Sequence, residues 1–178
     1  MATVLSNQKS TYGNPYAFWT LEMTVSNRTA NSITVNWTVR GHLEYDISSL
    51  GTGYPLNVVV YAGGNSQTKA IKASSESWSG TSEHSVSGSF TVSGLSETTT
   101  SIATALAITS SVDTSCTLSK TSGSNITIPS FTAIVIPDAT PLNDTTVVIP
   151  FVYADGEYKV VIPFVYADGY KVSNPHIN

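Results

Sequence analysis

Residues 33–40 read ITVNWTVR, and their alternation of apolar and polar side chains is the strongest indication of fold class in this chain. The odd-numbered positions of this stretch, from Ile33 to Val39, are apolar, and its even-numbered positions, from Thr34 to Arg40, are polar. Successive side chains of a strand point to opposite faces, so this period of two predicts a β-strand with one buried face. Trp37 belongs to the apolar face, and we expect it in the core.

The same period continues on both sides of this strand. Turn-forming residues follow two of the runs, at 27–31 and at Gly63-Gly64-Asn65, and Gly88 indicates a bulge or close packing. About seven short strands within 18–132 are typical of an immunoglobulin-like or fibronectin-like β-sandwich, so the expected class is all-β. The further predicted strands lie around 21–25, 56–60, 86–92, 102–108, 116–118 and 126–128.

Composition excludes several functional classes. Charged residues make up 11% of the chain, against a usual content of about a quarter, and 26 Ser and 24 Thr supply much of its polarity. With 8 Lys and Arg residues and a pI of about 5.2, nucleic acid is not expected as a partner. Cys116 is the only cysteine, which excludes an intramolecular disulfide and a cysteine-based zinc cage. Such sparse charge predicts a surface buried against other copies or other proteins.

The two ends of the chain differ from its middle. Residues 1–17 contain a Gly-Asn-Pro turn and are interpreted as an N-terminal arm outside the sandwich at 18–132. Residues 133–146 are interpreted as a linker that leads to a separate segment at 147–178. Residues 1–10 lack an apolar core, and no apolar run approaches about 18 residues, so we expect neither a signal peptide nor membrane insertion.

The C-terminal segment contains a duplication. Residues 147–159 read VVIPFVYADGEYK and residues 160–171 read VVIPFVYADGYK, so the second copy lacks a counterpart of Glu157. Each Asp-Gly pair suits a two-residue hairpin turn. In the first copy such a turn would pair Tyr153 with Tyr158 and Ala154 with Glu157. The missing residue shifts the register of the second hairpin by one position.

These hairpins are expected to pack against another surface, because a lone hairpin is only marginally stable in water. Pro150 and Pro163 cannot donate to a ladder, which favours edge positions. Asp155 and Asp168 are interpreted as turn residues, because no Asp-x-Asp-x-Asp array accompanies them to form a calcium site. The candidate assembly and docking residues are the aromatic ones: Phe151, Tyr153, Tyr158, Phe164, Tyr166 and Tyr170.

The segment from Ile149 to Lys159 resembles repeats at the C-termini of phage minor structural and tail proteins of the siphovirus-like kind. Those repeats have the form Pro-aromatic-Val-Tyr-x-Asp-Gly-x-aromatic-Lys, often with Trp where this chain has Tyr158 and Tyr170. The segment from Ile162 to Lys171 matches with one residue lost, and the Ser/Thr-rich part before residue 132 is similar to the immunoglobulin-like domains placed before such repeats.

This resemblance implies a structural component of a bacteriophage virion, in the tail or at another external position. The implied partners are other virion proteins and copies of the same chain, with host-surface contact as an additional role. It also implies synthesis in the host cytoplasm without a signal peptide. A low-charge sandwich without disulfides suits both the cytoplasm and the exterior of a cell.

No catalytic constellation is present in the sequence. The patterns Gly-x-Ser-x-Gly and His-Glu-x-x-His are absent, and no carboxylate pair stands out among the 12 acidic residues. We therefore expect neither enzymatic activity nor a cofactor. His42, Glu44 and Asp46 are spaced so that they could supply metal ligands, but a polar loop between two strands is the simpler interpretation.

The alternative function is a carbohydrate-binding module or adhesin that contacts host cell-surface carbohydrate, because flat aromatic side chains stack on sugar rings. Trp78 lies in the polar stretch SSESWSGTSE, which makes it the leading candidate, although a cap on the end of the sandwich is the simpler interpretation. The candidate glycan contacts are Trp78, Trp19 and Tyr54, and Tyr12, Tyr16 and Tyr45 are further aromatic candidates.

Overall fold

The structure, a computed structural model, describes residues 1–131, 151–154 and 157–160. The chain divides into two compact units, Met1–Thr132 and Ala133–Asn178. All described regular elements are β-strands. In chain order they are β1 Ala2–Lys9, β2 Ala17–Ser26, β3 Ser32–Leu43, β4 Ser49–Leu50, β5 Leu56–Ala62, β6 Asn65–Lys72, β7 Trp78–Ser79, β8 His84–Ser93, β9 Ser101–Ile102, β10 Thr104–Thr109, β11 Leu118–Ser122, β12 Ile126–Thr127, β13 Phe151–Ala154 and β14 Glu157–Val160.

The first unit is built from two antiparallel sheets of four strands each. Their strand orders are β1-β2-β3-β8 and β11-β10-β5-β6. Apolar residues from both sheets form one continuous core, so the two sheets make a β-sandwich. The pairs β4–β7 and β9–β12 form two short additional sheets. The predicted all-β fold class is confirmed.

The strand predicted from residues 33–40 is the centre of the first sheet. It pairs with β2 on one side and with β8 on the other, and its inner face is buried at every second position. Trp37 is fully buried, as its position on the apolar face of the strand predicts. Strands β2 and β5 show the same alternation of buried and half-buried positions, so the period of two identified the strands that carry most of the core.

Gly88 lies where two sheets approach each other closely. A Cβ atom at this position would lie 2.5 Å from Oε1 of Gln67 and 2.5 Å from an indole carbon of Trp37. The side chains of Gln67 and Lys69 in β6 donate hydrogen bonds to the carbonyls of Ser89 and Ser87 in β8, over 3.0 and 2.8 Å. The sequence predicted either a bulge or close packing at Gly88, and the structure shows close packing.

The interpretation of residues 1–17 as an arm is wrong for residues 2–9, because these form β1 and pair with β2. Val4 and Leu5 are both buried in the core although they are adjacent in sequence. The ladder has register shifts between Thr3 and Leu5 and again before Gln8, and Asn7 has a φ of +49°. These bulges break the period of two, which is why the sequence pattern did not reveal the strand.

The structure adds one strand and changes one strand boundary. The predicted turn after β5 is confirmed at Gly63 and Gly64, with φ of +52° and +84°, but it leads into β6, a strand that the apolar pattern had not predicted. Cys116 was expected in a strand with Leu118, but it lies in a turn with a φ of +63°, and β11 begins at Leu118.

The described part of the second unit is one hairpin. Its register pairs Phe151 with Val160, Tyr153 with Tyr158, and Ala154 with Glu157, as the Asp-Gly turn predicts. The second copy of the repeat beyond Val160, with its register shift, lies outside the described residues. The linker predicted at 133–146 also lies outside them.

Candidate binding surface at the loop end

Four connections of the sandwich meet at one end, which we call the loop end. They are residues 10–16 between β1 and β2, 44–55 between β3 and β5, 73–83 between β6 and β8, and 110–117 between β10 and β11. The antiparallel registers place them together, because each of these connections follows a strand that runs toward this end.

Backbone hydrogen bonds tie these four connections into one structure. The amide of Glu44 donates to the carbonyl of Tyr16 over 3.0 Å, and the amide of Thr11 donates to the carbonyl of Thr117 over 2.9 Å. Strands β4 and β7 pair within the loop end, with Leu50 opposite Trp78. The connections therefore form a fixed surface rather than four separate loops.

Lys72 joins two of the connections from inside. The residue is buried, and its Nζ donates hydrogen bonds to the carbonyl of Gly51 over 2.9 Å and to the carbonyl of Glu76 over 2.6 Å. Burial lowers the pKa of the Lys72 ammonium group. The carboxylate of Glu76 also accepts a hydrogen bond from the amide of Ala73, so hydrogen bonds fix the turn at 73–76 through both the side chain and the carbonyl of Glu76.

Cys116 has a structural role at the loop end. Its thiol is buried, and burial raises the thiol pKa to about 12, so the nucleophilic thiolate is not formed at neutral pH. Sγ lies 3.3 Å from the carbonyl oxygen of Pro15, and the Cys116 carbonyl accepts a hydrogen bond from the Trp19 indole over 3.1 Å. These contacts join 110–117 to the first connection and to the core.

Large hydrophobic side chains are exposed at the loop end. Ile47 is 94% exposed, Val112 64% and Tyr45 61%. With Tyr12 and Tyr54, they are five of the six exposed large hydrophobic residues in the described part of the chain. Ile47 and Val112 were not among the predicted candidates. Their only signal in the sequence is a lone aliphatic residue within a polar turn.

Two of the three predicted glycan contacts are buried. Trp19 is 0% and Trp78 2% exposed, so neither ring face is available to a sugar, and the prediction of Trp78 as an exposed contact is wrong. Trp78 stacks on His84 with ring centroids 4.0 Å apart and packs near Trp19 at 6.3 Å. It closes the end of the sandwich, which was the simpler interpretation. Tyr54 is 38% exposed and remains a candidate.

The structure gives the three residues of the suggested metal site separate partners. His42 stacks on Phe18, with ring centroids 5.6 Å apart. Glu44 accepts a hydrogen bond from Lys9 over 2.7 Å, which raises the pKa of the Lys9 ammonium group, and Asp46 accepts from Thr81 over 2.8 Å. In the described ranges, no three His, Cys, Asp or Glu residues are grouped to hold a metal ion.

The predicted docking residues are only partly described. Phe151, Tyr153 and Tyr158 take part in the hairpin ladder. Phe164, Tyr166 and Tyr170 lie outside the described residues.

A groove of about 510 Å³ lies at the other end of the sandwich. Its walls come from the start of β1, the end of β2 and residues 124–127, and they include Met23 and Val25. No Asp, Glu, Lys, Arg or His side chain lines the groove, and Met1 is among its lining residues.

Comparisons with known proteins identify no relative: no family model, no curated protein and no solved structure matches the chain. In the described part of the chain, no helical segment meets the length and apolarity of a membrane span.

Proposed function

We propose that this chain is a non-enzymatic structural protein of a bacteriophage virion, located in the tail or at another external position. The sandwich would form its body, and the duplicated segment at 147–171 would attach it to other virion proteins or to further copies of itself. The observation that carries the proposal is the duplication itself, together with its resemblance to repeats of phage structural proteins.

The hairpin register supports an assembly role for this segment. Strands β13 and β14 pair only with each other among the described residues, so each has one edge whose backbone groups are unpaired there. A two-stranded hairpin gains stability when another strand or surface covers it. Duplicating such a unit doubles the number of docking elements, which strengthens attachment through multivalency.

The strand order of the first unit supports the immunoglobulin-like part of the proposal. If β2, β3, β5, β8, β10 and β11 are lettered A, B, C, E, F and G, one sheet contains A-B-E and the other contains G-F-C. This order is similar to that of an immunoglobulin domain without its strand D, and β6 adds a strand next to C in the second sheet. Strand β1 then extends the first sheet beyond A.

Purified particles provide the test. The full chain and a variant with Gly156→Val and Gly169→Val, which disfavours both predicted turns, would be produced in cells that release the particles. We expect the unaltered chain in particles by mass spectrometry, and a large loss of the variant at equal expression. Gly51→Ala, at an unobstructed position, serves as the control. Absence of the unaltered chain from the particles would contradict the proposal.

The alternative, a carbohydrate-binding module or adhesin, has less support after the burial of Trp19 and Trp78. It now rests on exposed tyrosines at the loop end, chiefly Tyr54 and Tyr45. A glycan array probed with the full chain tests it. Binding that disappears in Tyr54→Ala and Tyr45→Ala would favour this alternative.

A further inference from the structure

We propose that the loop end is a recognition surface for a protein partner that presents basic and apolar side chains. This proposal concerns the sandwich and does not depend on the duplicated segment or on its place in a virion. Three properties of the loop end carry it: a fixed backbone, exposed apolar anchors, and carboxylates that form no ion pair among the described residues.

The fixed backbone lowers the cost of binding. Each connection of the loop end is hydrogen-bonded to at least one other, by pairs such as Gly53 amide to Ser74 carbonyl at 2.7 Å and Gly80 amide to Ser48 carbonyl at 3.0 Å. Lys72 adds its two bonds from within. A surface that is ordered before it binds loses little conformational entropy on association.

The composition of the loop end resembles that of binding loops in general. Half of its residues are Ser, Gly or Tyr, which are residue types enriched in antibody binding loops. Tyrosine provides a large contact area with few rotatable bonds, and small polar residues adapt their hydrogen bonds to a partner. Tyr12, Tyr45 and Tyr54 are exposed here.

The aliphatic anchors favour a protein over a carbohydrate. Ile47 and Val112 are the two most exposed large hydrophobic residues of the described chain, and a branched aliphatic group offers no flat face for a sugar ring. The two tryptophans that would best provide such a face are in the core. Branched aliphatic groups of this kind gain free energy when a protein partner removes them from water.

The charges of the loop end favour a basic partner. The four connections contain five acidic residues and no Lys or Arg, and of the cations in the adjoining strands Lys9 is paired with Glu44 and Arg40 with Glu83. Asp46, Glu76 and Asp113 form no ion pair among the described residues. Hydrogen bonds from Ser115 lower the pKa of Asp113 and keep it ionised. The resulting negative field favours a partner with Lys or Arg.

A peptide selection tests this inference. A random peptide library displayed on yeast would be sorted against the full chain. We expect selected peptides to be enriched in Lys or Arg together with apolar residues. Their affinity should fall by at least about tenfold in a Tyr45→Ser, Ile47→Ser variant, because this variant removes two of the exposed hydrophobic anchors.

A second variant isolates the charges. Asp46→Asn with Glu76→Gln retains acceptor oxygens for Thr81 and for the Ala73 amide, so the loops keep their hydrogen bonds while they lose two negative charges. We expect weaker peptide binding with a smaller dependence on salt. Glu97→Gln in the connection at the opposite end, and Tyr61→Ser in β5, are the matched controls and should bind normally.

Three outcomes would overturn the inference. The first is a selection that enriches no peptides. The second is a set of selected peptides whose affinity is unchanged in both loop-end variants. The third is that no peptide binds, while sugars on a glycan array bind the unaltered chain and do not bind these variants. Thermal unfolding followed by circular dichroism would establish that every variant is folded. None of these outcomes depends on whether the chain is found in purified particles.

Discussion

The indole Nε1 of Trp37 donates a hydrogen bond to Oε1 of Gln67 over 2.9 Å, and this bond joins the two sheets of the sandwich. Trp37 lies in β3 of the first sheet and Gln67 in β6 of the second. Nε2 of Gln67 in turn donates to the carbonyl of Ser89 in β8 over 3.0 Å. The buried indole is therefore satisfied, and one side chain links three strands.

Replacing Gly88 with alanine should disrupt this junction. The new Cβ would lie 2.5 Å from both Gln67 Oε1 and the Trp37 ring, so one of them must move, and we expect a loss of about 1–3 kcal/mol in the free energy of unfolding. Urea denaturation measures it. Gly51→Ala, which meets no atom within 4 Å, should change stability by less than about 0.5 kcal/mol. Equal effects of both substitutions would contradict the close packing at Gly88.

Truncating Trp78 should affect stability far more than truncating an exposed aromatic residue at the same end. Trp78→Ala removes a buried ring from beside Trp19 and His84, and we expect a loss of about 3–5 kcal/mol in the free energy of unfolding. Tyr45→Ala should cost less than about 0.5 kcal/mol, because this ring is mostly exposed. A stable Trp78→Ala protein would argue that the ring is not part of the core.

Stability should fall as the solution is acidified, in part through His84. Burial lowers the pKa of His84 below its ordinary value of 6.5, so the unfolded chain binds a proton more readily than the folded one. The free energy of unfolding therefore decreases as pH falls from above 6.5 toward the folded-state pKa. We expect His84→Gln to reduce this decrease between pH 7.5 and pH 5.5, values on either side of the ordinary pKa, when urea midpoints are compared. An unaltered pH dependence would contradict the assignment to His84.

Cys116 should resist thiol reagents in the folded protein. The thiol is buried and its pKa is raised to about 12, so little thiolate is available at pH 8. We expect slow reaction with Ellman's reagent in buffer and rapid, complete reaction in guanidinium chloride. In a Ser111→Cys variant, the added thiol lies in the same connection at an exposed position and should react at once. Rapid labelling of the unaltered chain would contradict the burial of Cys116.

The sequence predicted those parts of the fold that depend on local pattern. The alternation at 33–40 identified β3 and the buried Trp37, because side-chain direction in a strand repeats every two residues whatever the surroundings. The Asp-Gly pair predicted the register of β13 with β14, because a two-residue turn determines which residues face each other.

The candidate surface was predicted less completely. Tyr12, Tyr45 and Tyr54 were among the predicted aromatic candidates, and Trp78 was named as the leading sugar contact because its neighbours in sequence are polar, although a cap on the sandwich was the simpler interpretation. Its burial follows from pairing opposite Leu50 and from packing against Trp19, residues that are far away along the chain. Strand β1 was missed for a related reason, since its bulges remove the local alternation while its partner strand still buries Val4 and Leu5.

Local sequence pattern was therefore sufficient to identify the strands that have a regular apolar face and the turn of the first hairpin. The burial of isolated residues and the meeting of the four connections became known from the packed fold, as Lys72 and Cys116 illustrate. Strand periodicity is a property of consecutive residues, whereas burial of a residue in a connection depends on which distant residues pack against it.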